Sequence, residues 1–225
     1  MNALLNAHSQ QGSSKPPHVG LTSNVLPEAI DSQKGVSSDY AQKSTHEWHV
    51  LRVTYNRVKQ ANDILIRAGV QTYQPMHHML INRLGKKRRV LKPLFPNFCF
   101  VYAPRQEILR LIRQKVDEKT CLKFYLDKTK SPEANGKHPP LTIPFATMIN
   151  FIRATSTDSP HVRTVSPAQC RYKSGEKVRI TRGEFAGVIG RVARIAGQQR
   201  VVVDITGLGM IATAYIPTDF IETIR

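Results

Sequence analysis

The sequence predicts an α+β domain, an antiparallel sheet with flanking helices, followed by a small five-stranded β-barrel. Three observations carry this prediction. Residues 45–154 read as strand, helix, hairpin, helix, strand, helix. Residues 171–225 hold only short β-branched runs separated by glycine-rich turns. Between them, TSTDSPHVRTVSPAQC at 155–170 is polar and contains two prolines, the composition of an extended, semi-rigid linker.

Each element has its own signal. Residues 1–44 are rich in Ser, Gln, Asn and Pro without an apolar period, so they cannot offset their ordering entropy and are expected to be disordered. EWHVLRV, opening at Glu47, is aromatic and β-branched and reads as a strand. A helix follows with Asn56 as N-cap, apolar residues Val58, Ala61, Ile64, Leu65 and Ala68 at helical spacing, and Gly69 as its left-handed stop. VQTYQPMHHMLI and VLKPLFPNFCFVY read as two strands joined by NRLGKKRR, a hairpin turning at Gly85. After Pro104, Ile108, Leu109, Leu111 and Ile112 mark a second helix; CLKFYLD is a strand, and PEANGKHPP a loop of turn formers. PFATMINFIRA closes the segment as a helix with Pro144 near its first turn and Phe145, Met148, Ile149 and Ile152 on its apolar side. The barrel strands are KVRI, VIGRVARI, RVVVDI, MIATAYI and FIETI.

Composition narrows the function classes. The net charge is +17, a field that attracts polyanions and points to nucleic acid or a nucleoprotein machine. Its centre is residues 45–153, where 20 Lys/Arg face 7 Asp/Glu, whereas the tail is neutral. Cys99, Cys121 and Cys170 are widely spaced with no CxxC pair, which predicts small buried apolar groups in a reducing cytoplasm. No run approaches a membrane span, and the N-terminus lacks the build of a signal peptide. A soluble, cytoplasmic, monomeric protein is expected. No phosphate-cradling, dinucleotide, nucleophile-elbow or HExxH motif is present, so neither an enzyme nor a cofactor is predicted. His77 and His78 are adjacent in a strand and His46 and His49 are three apart at a strand entry; each pair points to opposite faces, so no metal is expected.

Three features remain as candidate sites. Arg83, Lys86, Lys87, Arg88, Arg89 and Lys92 place six cations on one hairpin. They repel one another unless an anion relieves them, which suits sequence-blind phosphate contacts; a solvated face is the alternative. In GEFAGVIGRV, Phe185 sits among Gly183, Gly187 and Gly190 and is either an exposed anchor for another protein or a ring folded back to cap the barrel. In the strand beginning at Asn97, Cys99 and Val101 fall on one side, suited to packing beneath the first two helices. Phe98, Phe100 and Tyr102 fall on the other. That aromatic side is either a second core layer or a docking surface.

Trp48 opening the first strand, PLFPNFCFV at 93–101 and GEFAGVIGRV at 183–192, in this order and spacing, resemble the NusG-type transcription elongation factors. The resemblance covers residues 45–225. It implies a ferredoxin-like NGN domain and an SH3-like KOW barrel on a flexible linker. The long basic hairpin, the tail and the IATAYIP ending are most similar to RfaH-like and UpxY-like antiterminators of Bacteroidetes capsular polysaccharide operons. In such proteins the NGN domain binds the clamp helices of RNA polymerase through an aromatic concavity and suppresses pausing. By motif match Trp48, Phe95, Phe98 and Phe100 fall on that surface, with Arg52 standing where RfaH carries an aromatic. The basic hairpin lies toward DNA or polymerase, and Phe185 matches a contact to the ribosomal S10 protein or Rho. The aromatic row is then expected to be partly open to solvent. RfaH-type barrels can refold into helices; here RVVVDI and the glycines at 183, 187, 190 and 197 oppose helix, and a stable barrel is predicted. Charge and barrel alone would also fit a KOW-containing ribosomal or general RNA-binding protein.

Overall fold

The computed structural model describes residues 20–22, 41–54, 57–114, 122–157 and 159–224. Its N-terminal part contains β1 (Gly20–Thr22), β2 (Glu47–Arg52), α1 (Val58–Arg67), β3 (Gln71–Arg83), β4 (Lys86–Pro93), β5 (Phe98–Ala103), α2 (Arg105–Arg113), β6 (Lys123–Phe124), β7 (Thr142–Ile143) and α3 (Phe145–Thr155). The strands form one antiparallel sheet in the order β1-β3-β5-β2-β6, with β4 on β3 and β7 on β2. Strand β1 comes from the segment expected to be disordered and pairs its Leu21 with Gln74.

Alternation in β5 builds the layers. Cys99, Val101 and Ala103 point to the side of α1 and α2, where they join Val58, Ala61, Leu65, Ile108 and Leu111 in one buried cluster. Phe98, Phe100 and Tyr102 point the other way, together with Trp48 and Val50 of the neighbouring β2. Helix α3 lies over that second face, so the sheet is covered on both sides. α1 ends as expected: Gly69 takes φ 79° and its N–H is bonded to Ile66 O at 2.9 Å. The expected cap Asn56 lies outside the described residues; α2 and α3 start directly after Pro104 and Pro144.

The expected single strand 90–102 is two. β4 ends at Pro93, the chain turns through residues 94–97, and β5 begins at Phe98. Pro93 and Pro96 have no N–H to give a ladder, which makes this the place for the break. β3 changes partner at the same level: Gln71–Tyr73 pair with β5, whereas Met76–Arg83 pair with β4. The β3–β4 hairpin therefore leaves the sheet and closes at Leu84 and Gly85, with φ 53° and 75°. Two positive φ values define a type I′ turn, and a leucine there costs of order 1 kcal/mol.

The C-terminal sheet comprises β8 (Arg163–Val165), β9 (Arg171–Ile180), β10 (Ile189–Ile195), β11 (Gln198–Ile205), β12 (Gly209–Tyr215) and β13 (Ile221–Thr223), ordered β13-β9-β10-β11-β12-β8. Five of these are the predicted strands. The sixth, β8, arises from the expected linker and pairs Val165 with Met210. The second half of the linker is thus built into the small β domain, because Val162 and Val165 supply apolar side chains that it buries.

The two parts also touch, where independent units on a flexible tether were expected. The Asn150 amide of α3 donates to Ile189 O and accepts from Ile189 N–H, both at 2.7 Å. Arg153 donates to Gly187 O at 3.2 Å. On the far side, a Cβ added to Gly207 would lie 3.1 Å from Leu141 Cδ1 and 3.2 Å from Asp127 Oδ1. One apolar cluster runs from Trp48 and Phe100 through Phe151 to Phe185 and Ile211. Helix α3 is the shared wall: Phe151 and Thr155 face the first sheet, Asn150 and Arg153 the second.

Candidate functional site

Three regions hold the residues singled out by sequence: the aromatic face, the cationic hairpin and the glycine-rich loop of the β domain. In the first, Phe100 is 0 % exposed, Trp48 1 % and Phe95 8 %, and only Phe98 is half-buried. The expected open row is therefore a core layer over most of its length. The cause is Phe151, whose ring centroid lies 5.2 Å from Phe100 and 6.0 Å from Phe95. Trp48 stacks on Tyr102 at 5.1 Å, and Phe145 covers Tyr102 at 5.7 Å. Aromatic pairs at these separations add to area burial. The Tyr73 hydroxyl anchors the same layer, 2.7 Å from Thr155 Oγ1, which itself donates to Phe151 O. Burial pushes the Tyr73 hydroxyl up to about 12.

At its open end the face is small and cation-rimmed. Phe98 packs edge-on against Tyr125 at 4.9 Å, and Arg52, directly opposite Phe98 in the ladder, is exposed with Lys123 beside it. Sequence reasoning missed both Tyr125 and Phe151. The signal for Phe151 was available: it follows Met148 by three residues and precedes Thr155 by four, the spacing of one helix face. Its place against the sheet was not.

On the sheet's other face, His49 is buried beside the Phe124 ring, and burial holds its imidazole below its ordinary value. Cys99 is buried with its thiol pushed up to about 12 by burial, as an inert apolar group should be. Cys170 is half-buried rather than core, and Cys121 lies outside the described residues.

The hairpin gathers Arg83, Lys86, Lys87, Arg88, Arg89 and Lys92, all exposed. Cross-strand pairing puts Arg83 opposite Lys86 and Asn82 opposite Lys87, so like charges crowd the tip. No Asp or Glu occurs between Asp63 and Glu107 to relieve them. Apolar side chains share the ribbon: Leu84 is 96 % exposed and Leu80 71 %. His77 lies opposite Lys92 and His78 opposite Leu91, on opposite faces as expected. Among the described residues no group of three metal-ligating side chains occurs.

In the β domain, Gly183 and Gly187 take φ 80° and 84°, and the turn they make carries Phe185 inward to 2 % exposure. Phe185 is not a free anchor in this arrangement. Its ring joins Ile180 and Val188 in the shared cluster, the burial that an aromatic on a tight glycine turn gains by folding back.

These observations define a two-part protein: an α+β domain with an aromatic layer and a protruding basic ribbon, and a small antiparallel β domain docked on its third helix. Residues 46–120 match the family model described as transcription termination factor nusG. That match spans β2 to just beyond α2, about a third of the chain, and supports a NusG-type transcription factor. No curated protein matches the chain. No helix among the described residues is long and apolar enough to cross a membrane.

Proposed function

We propose that this chain is a non-enzymatic transcription antitermination factor that binds RNA polymerase through its α+β domain and promotes read-through of specific operons, of the capsular polysaccharide type. The observation that carries this reading is the coincidence of the family match at 46–120 with the aromatic layer of β2 and β5. The rim of that layer, half-buried Phe98 and Tyr125 beside exposed Arg52 and Lys123, is where the polymerase clamp helices dock. Trp48, Phe95 and Phe100 support it from below rather than touching the partner. The hairpin cations contact nucleic acid phosphates beside the polymerase. A contact from the β domain to the ribosomal S10 protein or to Rho through Phe185 requires that ring to leave the cluster in which it is buried.

The burial of Phe100 decides which variant tests this. Phe100→Ala removes a core ring and unfolds the layer, whereas Phe98→Ala with Tyr125→Ala strips the open end alone. The double variant is expected to keep its circular dichroism and lose co-purification with core polymerase; undiminished co-purification overturns the docking assignment. Deleting the gene and mapping transcripts distinguishes a specialist, with promoter-distal reads falling in one operon, from a general factor. Tight RNA binding with no polymerase retained favours the ribosomal or general RNA-binding alternative.

A further inference from the structure

The hairpin tip presents a feature that charge does not explain. Leu84 occupies the first central position of a two-residue turn at φ 53°, where Asn, Asp or Gly is the usual choice because a larger side chain crowds the backbone. Its side chain is 96 % exposed, so folding recovers almost nothing for the strain. A strained, unburied apolar residue at the apex of a protruding element points to function. Around it stand Arg83, Lys86 and Lys87, all exposed, and the ribbon carries no acid.

We propose that the β3–β4 hairpin enters the minor groove of duplex DNA and that Leu84 wedges at a base step while the flanking cations hold the phosphates. It rests on the nucleic-acid half of the reading above and adds the duplex, the groove and the residue. Charge complementarity selects a polyanion. Ribbon composition selects among polyanions: single strands are held by stacking on aromatic side chains, and residues 76–93 contain no Phe, Tyr or Trp. Sequence-specific RNA recognition stacks splayed bases on aromatic, His or Arg planes; here the only rings are His77 and His78, half-buried at the root of the ribbon and away from its tip, and the deep groove of an RNA helix closes to side chains. Architectural proteins instead press Leu, Ile, Met or Pro between the base pairs of a duplex from the minor groove, with basic residues alongside. Pyrimidine–purine steps unstack most easily, so a TA step is the preferred seat.

The test uses the full chain and a duplex of about 25 base pairs, over two helical turns, with 2-aminopurine at a central TA step. The wild type is expected to bind in a salt-dependent manner and to raise 2-aminopurine fluorescence at saturation. Leu84→Asn, which suits the turn better, is expected to bind roughly three- to tenfold more weakly with the fluorescence rise lost, and to melt no lower than the wild type. Lys87→Ala is expected to keep the rise while flattening the salt slope by about one unit. No rise with the wild type, or an equal rise with Leu84→Asn, overturns the wedge. Tighter binding to single-stranded DNA or to RNA of the same length overturns the duplex assignment. Polymerase co-purification with Leu84→Asn separates this proposal from the docking reading, since the Phe98 end of the sheet is untouched: retention alongside a lost fluorescence rise supports the wedge. Loss of polymerase overturns the hairpin's assignment to DNA in favour of a polymerase contact.

Discussion

The β3–β4 and β10–β11 hairpins close with the same turn and meet opposite fates. Leu84 and Gly85 take φ 53° and 75°, Ala196 and Gly197 take 50° and 80°, and in each a non-glycine residue precedes the glycine. The β10–β11 ribbon has β9 and β12 on its outer edges, and Val192, Ala193, Val201, Val202 and Val203 are buried. Beyond Pro75 the β3–β4 ribbon has no outer partner among the described residues, and Met79, Leu80 and Leu91 remain exposed. Turn chemistry is therefore shared, whereas charge and neighbours differ: β4 reads KKRRVLKP with an open outer edge, β11 reads QQRVVVDI between two strands, and these two differences decide burial. A two-stranded ribbon by itself is marginal in water; this one is held at its root and free to present its tip.

The largest expected effect separates the two ribbons by glycine. In β10, a Cβ at Gly190 would sit 2.3 Å from Val202 O and 2.6 Å from Val201 Cγ1. Gly190→Ala should cost about 3 kcal/mol or more by overpacking between paired strands. At Gly85 nothing lies within 4 Å and only φ 75° resists a side chain, so Gly85→Ala should cost about 1 kcal/mol. Thermal melts that rank the two in the reverse order break the comparison.

Next in size is the hairpin's root. Tyr73 precedes the point where β3 leaves the sheet, and its buried hydroxyl is pushed up to about 12. In the unfolded chain it ionises near 10. Between these values the unfolded state gives up its proton first, so this stability is complete below pH 10 and is lost as pH rises toward 12. The loss amounts to roughly 3 kcal/mol. Tyr73→Phe should lose about 1 kcal/mol at neutral pH from its missing hydrogen bonds and show a shallower alkaline decline. Denaturant titrations of both proteins at pH 8 and 11 measure the difference.

The smallest effect sharpens the comparison most. Leu84→Asn and Ala196→Asn should each raise stability by about 0.5 kcal/mol, because asparagine tolerates the left-handed region better. Equal gains mean the turns are equivalent and that the Leu84 side chain supports nothing in the folded protein. A loss at Leu84 alone would mean that it packs against the protein and is not free to reach a ligand.

Much of this was legible in the chain. Period and composition placed α1, α2, α3 and all five expected barrel strands, since each is specified by local spacing of apolar residues and glycine stops such as Gly69. The two faces of β5 also followed from alternation, down to the packing of Cys99 and Val101 under the helices. The break at Pro93 and Pro96 was readable too, had the missing N–H groups been weighed against the run of aromatic residues. The β1 strand was not: a three-residue edge strand takes its hydrogen bonds from β3 and has little local signal of its own.

The candidate site divides along the same line. By itself the sequence determined that six cations and a leucine crowd one turn, that an aromatic row lies opposite the helices, and that a small β domain ends the chain. These depend on composition and on periods of two and 3.6 residues. Only tertiary structure decided that α3 covers Phe100 and leaves Phe98 at the rim, that Phe185 turns inward, and that Asn150 binds Ile189 across the two parts. Burial is a property of what packs from elsewhere in the chain, and no local pattern states which distant element will arrive.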